Sequence, residues 1–557
     1  MFRTHATWRA AVVLGALCVA AQMQAPLLLH MSDPLFRGVL VQLNSDEDVY
    51  LAHLQESLSG RPEQSSEAIV GDPSLRGSHA GTLERIEGEI FRPTRLRAAS
   101  VEQIMDSLIP PAIFLALILF FSLCGFSRWA SFLGACAFVA IELYSLNRPV
   151  QPRGSFLILL LALSGIIAGL ERSDFAHRRR LWILGCIGGA LLGILVGVYF
   201  WAWTFGWLWM GLLFLSAVAQ WMKERSPEQL RRFERLCLFA AAGALAAAPA
   251  LWELRTLVQQ PFYVDAVFRS GMHAGRLPES WSYSILFALM MFGALSAWWK
   301  DMRGRAPYAA ITVITAFIAI HQQALHGTVF NFVSHYQFAL VTAAICVILL
   351  WNASSAGRKP AFVVSGLAAL VYLGAIAYDG RHIVNQWTVR ASRFDEQHFS
   401  TLLPVLDALP RATILSDPTS SLFVAASTRH DVVYTLYLKN VLMSHGEIAA
   451  RFCTTQIPVA PIDRHLEREQ PIYPDADSAY SGDPSVAARE REMVKEACDA
   501  ADRRPAQAVS AFHPGYVLWD ERRHPEWSLQ RLRTPLTKTA SGSGWSLWSI
   551  DTLNAPR

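Results

Sequence analysis

Charge is what this chain is short of. Asp, Glu, Lys and Arg make up 17% of its 557 residues, where a soluble domain carries about 25%. That deficit excludes an array of ordinary soluble domains, although the length alone would allow several. The net charge of +4 is too small to point to nucleic acid as a partner. Several motifs are missing as well. No P-loop, no GxGxxG opening a helix after a strand and no GxSxG occurs, so ATP-driven transport and soluble-nucleotide chemistry are excluded. The eight cysteines form no CxxC and no Cys/His zinc spacing. Paired acids inside the apolar segments, which a proton-driven transporter needs, are absent, and so is any internal repeat.

What the chain has instead is hydrophobicity, 52% of residues, and 18 Trp, a residue that favours the membrane–water interface. Residues 11–30 form a first apolar segment behind Arg3 and Arg9; with two Gln, a Pro and no small-x-small site after it, it reads as a retained helix rather than a cleaved leader. Ten more apolar stretches follow, at about 108–126, 129–146, 154–170, 181–200, 204–222, 236–253, 281–299, 307–325, 336–352 and 361–378. Segments of 17–20 residues span about 26–30 Å as helices, one hydrocarbon core, and lipid admits helices but no open strand edge. With the N-terminus inside, the inner connectors and the N-terminus hold 17 Lys and Arg; the outer connectors after the long first one hold five, Arg148, Arg153, Arg255, Arg269 and Arg276. This obeys the positive-inside rule. The expectation is a multi-pass α-helical membrane protein of about eleven spans in a bacterial inner membrane, N-terminus cytoplasmic. Its domains are a first helix (1–30), an extracytoplasmic loop with amphipathic helices (31–107), helices two to eleven (108–379) and a periplasmic C-terminal domain (380–557).

The C-terminal region opens with RFDEQHFSTLLPVLDALP, a helical pattern. The strand-like ATILSD follows, then the apolar runs SLFVAAST and DVVYTLYL, which together suggest a small α/β domain. Residues 460–489, rich in Pro, Asp and Ser, read as irregular. Six cysteines lie in apolar segments, where a thiol is a small apolar group. Cys453 and Cys498 lie in the polar region and form a disulfide candidate if it is extracytoplasmic.

The stretch NSDEDVYLAHLQESLSG, residues 44–60, sits just after the first apolar segment. Ser45 and Asp48 have capping-box spacing, and Tyr50, Leu51, Leu54 and Leu58 form an apolar stripe that Gly60 ends. The pattern predicts a short amphipathic helix at the outer surface with Asp46, Glu47 and Asp48 at its N-terminal end, where the macrodipole favours carboxylates. Solvated acids at a helix start explain the motif without chemistry. The same acids also suit a base for an acceptor hydroxyl, or, as Asp46 with Asp48, ligands for a divalent metal ion.

An acidic motif directly after the first helix, many membrane helices and a C-terminal soluble domain together resemble the GT-C glycosyltransferase superfamily. The resemblance covers the architecture of the chain and rests at residue level on Asp46, Glu47, Asp48 and Tyr50. It implies sugar transfer from a polyprenyl-phosphate carrier to an acceptor on the outer side, with Asp46 first and Asp48 second as the catalytic carboxylate. No WWD-like motif stands in the C-terminal domain, which argues against the oligosaccharyltransferase branch. The resemblance leaves the sugar and the acceptor open. An envelope glycan polymerase or ligase, and a non-catalytic membrane protein with a periplasmic binding domain, remain alternatives.

Three further stretches lie in outer connectors. In HQQALHGTVFNFVSHYQ (321–337), His326, His335 and Tyr336 are either interfacial loop residues or candidates for contact with a lipid phosphate, a sugar or a metal, because polar groups at membrane depth line cavities or pair with each other. In ELYSLNRPVQP (142–152), Arg148 either pairs with Glu142 or grips a phosphate, a task that suits guanidinium. In FYVDAVFRSGMHAGRLPES (262–280), Arg269 and Arg276 are candidates for the leaving phosphate, or equally for lipid headgroups.

Overall fold

Helices account for most of the chain in the computed structural model, which describes all residues except 1, 41–46, 63–69, 71, 73–74, 79–80, 149, 172–177, 279, 301–305, 330–332, 354–358, 387–393, 467–468, 474–483 and 551–557. In chain order the helices are α1 (Phe2–Met31), α2 (Glu47–Leu58), α3 (Thr82–Phe91), α4 (Ala98–Leu123), α5 (Arg128–Glu142), α6 (Gln151–Leu170) and α7 (Arg178–Ile194). Then come α8 (Phe200–Glu224), α9 (Pro227–Val258), α10 (Tyr263–Arg269), α11 (Trp281–Lys300), α12 (Ala306–Ala319), α13 (Gln323–His326), α14 (Gln337–Ala353) and α15 (Lys359–Gln386). The C-terminal region adds α16 (Leu403–Ala408), α17 (Pro418–Ser427), α18 (His445–Gln456), α19 (Pro484–Arg503) and α20 (Pro505–Ser510).

Each of the eleven expected segments is a helix, but they are not equal. Seven, α1, α4, α6, α8, α9, α11 and α15, are long and apolar enough to cross a membrane. The other four are shorter: α5 has 15 residues, α7 17, α12 14 and α14 17. Fourteen residues rise about 21 Å, less than a hydrocarbon core. The shortening follows the polar sequence at their ends. Helix α5 stops at Glu142 and passes into a 3₁₀ turn over Ser145–Asn147, and α12 stops two residues before His321. Helix α4, in contrast, begins at Ala98, ten residues ahead of its apolar run, and carries Pro110 and Pro111 inside it.

The chain divides into two compact units, one of residues 1–26, 104–253 and 274–388, the other of residues 27–103, 254–273 and 389–557. In the first, glycines set the packing. Gly165 and Gly169 of α6 meet Gly188 and Gly185 of α7, and Gly189 and Gly193 lie on the backbone of α9. A Cβ at Gly189 would stand 2.1 Å from the Phe239 carbonyl oxygen, and one at Gly193 2.1 Å from that of Gly243. Small residues of this kind let helix backbones approach where apolar surface has no water to escape. Rings of α5, α6 and α14 fill a neighbouring layer: Phe138 stacks on Phe156, and both reach Phe338. At one end Arg232 donates to Gln220 and to the Tyr308 hydroxyl.

The second unit is built from three stretches far apart in sequence. Its sheet contains β1 (Thr413–Leu415), β2 (Asp431–Val432), β3 (Pro514–Asp520), β4 (Leu536–Gly542) and β5 (Trp545–Ile550), in the order β2-β1-β3-β5-β4. Strands β2, β1 and β3 are parallel; β5 pairs antiparallel with β3 and β4. Of the two runs after ATILSD, SLFVAAST is helix α17, not a strand. Asp417 accepts from the Thr419 and Ser420 amides, and Pro418 follows as first helical residue. DVVYTLYL gives only the two-residue β2 before turning into a 3₁₀ helix at Leu436–Asn440. The expected helix at 393–410 is a 3₁₀ segment, Asp395–Thr401, followed by the short α16. The irregular stretch ends earlier than expected, because α19 starts at Pro484. A disulfide joins Cys453 of α18 to Cys498 of α19.

The first loop belongs to this unit. Gln397 accepts from the Arg37 amide and donates to the Val39 carbonyl. Ser78 donates its amide to Asn440, and Leu442 donates to Arg76. Arg61 bridges Glu56 and Asp431, and Arg97 pairs with Asp407. Helix α2 packs between α3 and α17 and buries every residue from Leu51 to Ser57. The expectation of a surface helix with one apolar face is thereby corrected: besides α3, a layer contributed by residues more than 350 positions later packs on it, and polar as well as apolar residues of α2 are buried.

Candidate functional site

The parallel strands β1 and β3 run side by side, so their carboxyl ends lie at one edge of the sheet. Ligands in open α/β sheets bind outside such ends, where the strand order reverses. Here the order β2-β1-β3 places the reversal between β1 and β3. Asp417 stands two residues past β1, and Asp520 is the last residue of β3. Both are almost completely buried.

Asp417 caps α17 through its Oδ1, which accepts at 3.0 and 3.1 Å. His524 Nε2 lies 3.7 Å and an Arg523 nitrogen 3.8 Å from the same oxygen. Burial pushes this carboxyl up, but the pairing with His524 and the Ser420 hydrogen bond outweigh it and hold it below the usual range. For His524, burial works against the charge and Asp417 and Glu526 for it; the net shift is upward. Asp520 accepts from the Arg522 and Arg523 amides at 3.1 and 3.2 Å, with His398 Nε2 at 3.2 Å. Its burial is likewise outweighed, chiefly by His398, and its carboxyl sits low.

Two further carboxyls of the same unit have the opposite character. Glu396, in the 3₁₀ segment that Gln397 fastens to the first loop, is pushed up by burial against the pull of Arg523 and His398. Asp48, in the first turn of α2, is pushed well above its usual value by burial, then by the charges of Glu396 and Glu47. Like charges that cannot both ionise share protons. The Asp48 carboxyl, within reach of the Glu396 charge, therefore holds a proton more tightly than a free carboxyl, with the low-lying carboxylates Asp417 and Asp520 elsewhere in the same unit.

Of the other residues singled out in the sequence, Asp46, with the expected cap Ser45, lies outside the described residues. Glu47 shares the first turn of α2 with Asp48. Arg269 is buried and donates to the carbonyls of Lys439, Val441 and Met443 at 3.0, 2.6 and 3.1 Å, and burial lowers its pKa to about 10. Its guanidinium ties the 254–273 stretch to the C-terminal residues. The remaining candidates belong to the first unit. Arg148 ends the 3₁₀ turn after α5. Arg276 donates to the carbonyls of Ala324 and Leu325. His326 ends α13 and accepts from the Thr328 amide. His335 bonds to the Tyr199 hydroxyl and stacks on Trp201 at 4.1 Å. Tyr336 shares its hydroxyl with Thr204 and Gln322 at 2.8 and 3.0 Å. Gln337 donates to Glu142. The three residues of His335-Tyr336-Gln337 thus each reach different partners, and the structure brings His335 and Tyr336 together with α8.

Sequence reading missed Glu396, His398, Asp417, Asp520, Arg523 and His524. The signals were there: SDP after a short apolar run, and WDERRH at the end of another, mark polar residues at strand ends. Among the described residues no three His, Cys, Asp or Glu side chains are grouped as metal ligands.

No protein-family model matches the chain, and no curated protein matches it. Among solved structures, ArnT from Cupriavidus metallidurans bound to undecaprenyl phosphate aligns with 99% of both chains at 12% identity and a TM-score of 0.49. The apo state of the same protein aligns over 98% of both chains at 12% identity and a TM-score of 0.37. At these values the likeness transfers neither a substrate nor a residue role.

Proposed function

We propose that this chain is a membrane glycosyltransferase of the GT-C type, which moves a sugar from a polyprenyl-phosphate carrier to an acceptor hydroxyl on the outer side of the membrane. The observation that carries this reading is the setting of Asp48. A carboxyl in the first turn of a buried helix, raised by burial and by the charges of Glu396 and Glu47, binds a proton more tightly than a free carboxylate, the direction in which enzymes tune a carboxylate base. Asp46, two residues earlier, is the second candidate for the same role. The acceptor oxygen attacks the anomeric carbon and forms the new C–O bond. The bond from that carbon to the phosphate oxygen breaks, and the lipid phosphate leaves with its electron pair. The acceptor proton passes to Asp48, and the configuration at the anomeric carbon inverts. Arg148, Arg276, His335 and Tyr336 are the candidates for the lipid phosphate in this reading; Arg269, with three donors engaged by carbonyls, is set aside. The seven helices able to cross a membrane and the asymmetry of basic residues support a membrane enzyme with its acids outside.

The test is complementation of a deletion strain by wild type, Asp46→Asn, Asp48→Asn or Glu396→Gln at matched membrane levels, with surface glycans and glycolipids profiled. Wild type is expected to restore one sugar modification and Asp48→Asn to lower it about 10²–10⁴-fold, the range of a lost general base. Full restoration by Asp46→Asn and Asp48→Asn together would overturn the reading in favour of a polymerase or a binding protein.

A further inference from the structure

Two histidines at the carboxyl edge of the sheet have acceptors on both ring nitrogens. His398 is buried; its Nδ1 lies 2.6 Å from the Asp395 carbonyl oxygen and its Nε2 3.2 Å from Asp520 Oδ1. His524 has Nδ1 2.9 Å from Glu526 Oε1 and Nε2 3.7 Å from Asp417 Oδ1. A neutral imidazole offers one N–H and one lone pair, so each ring serves both of its acceptors only when it carries two protons. Histidine is the side chain whose charge changes near neutral pH. Besides Asp520, the charged groups around His398 are Glu396 of its own segment and Arg523 of the turn after β3. Besides Asp417 and Glu526, His524 has Arg523 beside it, which reaches the same Asp417 oxygen from 3.8 Å.

The turn after β3 is a fixed post. The His524 amide donates to the Asp520 carbonyl at 2.9 Å, and the Trp519 indole N–H reaches the His524 carbonyl at 2.7 Å. His398 ties to this post the 3₁₀ segment Asp395–Thr401, whose Gln397 holds the Arg37 amide and the Val39 carbonyl of the first loop. His524 ties to it Asp417, the N-cap of α17, and α17 packs against α2. Each histidine thus joins the sheet to an element that holds part of the first loop. Other contacts of these elements do not titrate: Phe399 stacks on Phe423 at 5.0 Å, and the Trp545 indole N–H donates to Thr401. Loss of the two protons therefore loosens the attachment without unfolding the unit.

We infer that His398 and His524 form a proton-operated clasp that holds the first loop and α2 on the sheet, closed when both rings are charged and slack when they are neutral. The sign follows from His524. Burial opposes its charge, but Asp417 and then Glu526 outweigh it and raise its pKa above the ordinary 6.5. Such a tie is complete below about pH 6.5 and is lost as pH rises through the folded-state value. The inference is independent of the proposed reaction, since its readout needs no activity.

The experiment is hydrogen–deuterium exchange, read by mass spectrometry on the full-length protein in nanodiscs at about pH 6 and about pH 8.5, either side of the histidine range. Each rate is divided by the intrinsic rate of an unfolded chain at that pH. Peptides covering α2, residues 395–401 and α17 are expected to lose protection several-fold at the higher pH. The hairpin β4–β5, which contains no acid and no histidine, is the control and is expected to keep its protection. His398→Gln together with His524→Gln is expected to leave the three peptides equally protected at both pH values. His524→Gln alone, at a ring 26% exposed, disturbs folding least and is expected to remove the pH response of α17 by itself. Equal protection of the wild type at both pH values would overturn the inference. So would a loss shared by the hairpin, or a response of α17 that persists undiminished in His524→Gln.

Discussion

The Gln337 side-chain amide donates to a carboxylate oxygen of Glu142 at 3.0 Å, joining the first residue of α14 to the last of α5. Glu142 has no exposed surface, and its other carboxylate oxygen has no partner among the described residues. A buried carboxyl that loses a donor costs more than one replaced together with it. Gln337→Leu is therefore expected to lower stability by about 1–3 kcal/mol. Glu142→Gln, whose amide oxygen still accepts, should cost less. Thermal melts in one detergent check the order, and equal losses for the two variants would contradict it.

Gly189 offers a steric test. Its missing Cβ leaves room for the Phe239 carbonyl, 2.1 Å from where that atom would lie. Gly189→Leu must force α7 and α9 apart and is expected to abolish a monodisperse peak in size-exclusion chromatography. Gly211→Ala is the matched control, because no atom lies within 4 Å of its Cβ position. There the gain in helix propensity, up to about 1 kcal/mol, should leave the peak intact or improve it.

The Cys453–Cys498 bond spans 45 positions. Chain entropy alone assigns such a loop about 4 kcal/mol. Replacing both cysteines by Ala should make the C-terminal residues sensitive to limited proteolysis at temperatures the oxidised protein withstands. Thiol labelling of unreduced protein is the companion measurement. Free thiols at both positions in protein taken from its native membrane would argue against an oxidising compartment.

Asp431 sets a pH dependence whose sign can be worked out. Burial, outweighing the attraction of Arg411 and His430, lifts its carboxyl from 3.8 to about 6. The folded chain therefore holds this proton more tightly than the unfolded chain. The stabilisation is complete below pH 3.8 and is lost as pH rises through about 6, with an upper bound of about 3 kcal/mol. Asp431→Asn should flatten that part of the profile of melting temperature against pH. An unchanged slope between pH 4 and 6 would mean that other groups set it.

The apolar segments were legible because lipid-facing helices have one requirement, a continuous run of apolar residues, and each of the eleven runs became a helix. Their lengths were less so: the break after Glu142 and the one before His321 depend on polar residues finding partners, Gln337 in one case and Ser284 in the other. Helix α2 was found with Glu47 and Asp48 in its first turn, yet its stripe of Leu51, Leu54 and Leu58 could not disclose that α17 would pack against it. The cluster around Glu396 was illegible for the same reason. Asp417 and Asp520 share one edge of the sheet only because β1 and β3 are neighbours, and strand order is not written in either segment. Arg269 shows the converse: a cation in an outer loop suggests a phosphate, while three backbone carbonyls took its donors.

A unit assembled from residues 27–103, 254–273 and 389–557 has a timetable. Helix α2 is finished at Leu58, but its partner α17 begins at Pro418, 360 residues later. At about 5–20 residues per second the ribosome needs roughly 20–70 s to close that interval. For that time a helix with an apolar stripe and three adjacent acids waits without its cover, while the intervening helices are being made. Any chain cut short before Pro418 leaves it waiting for good. Truncated products should therefore be degraded from their first loop, and a holding factor for nascent chains would find its target in the first sixty residues.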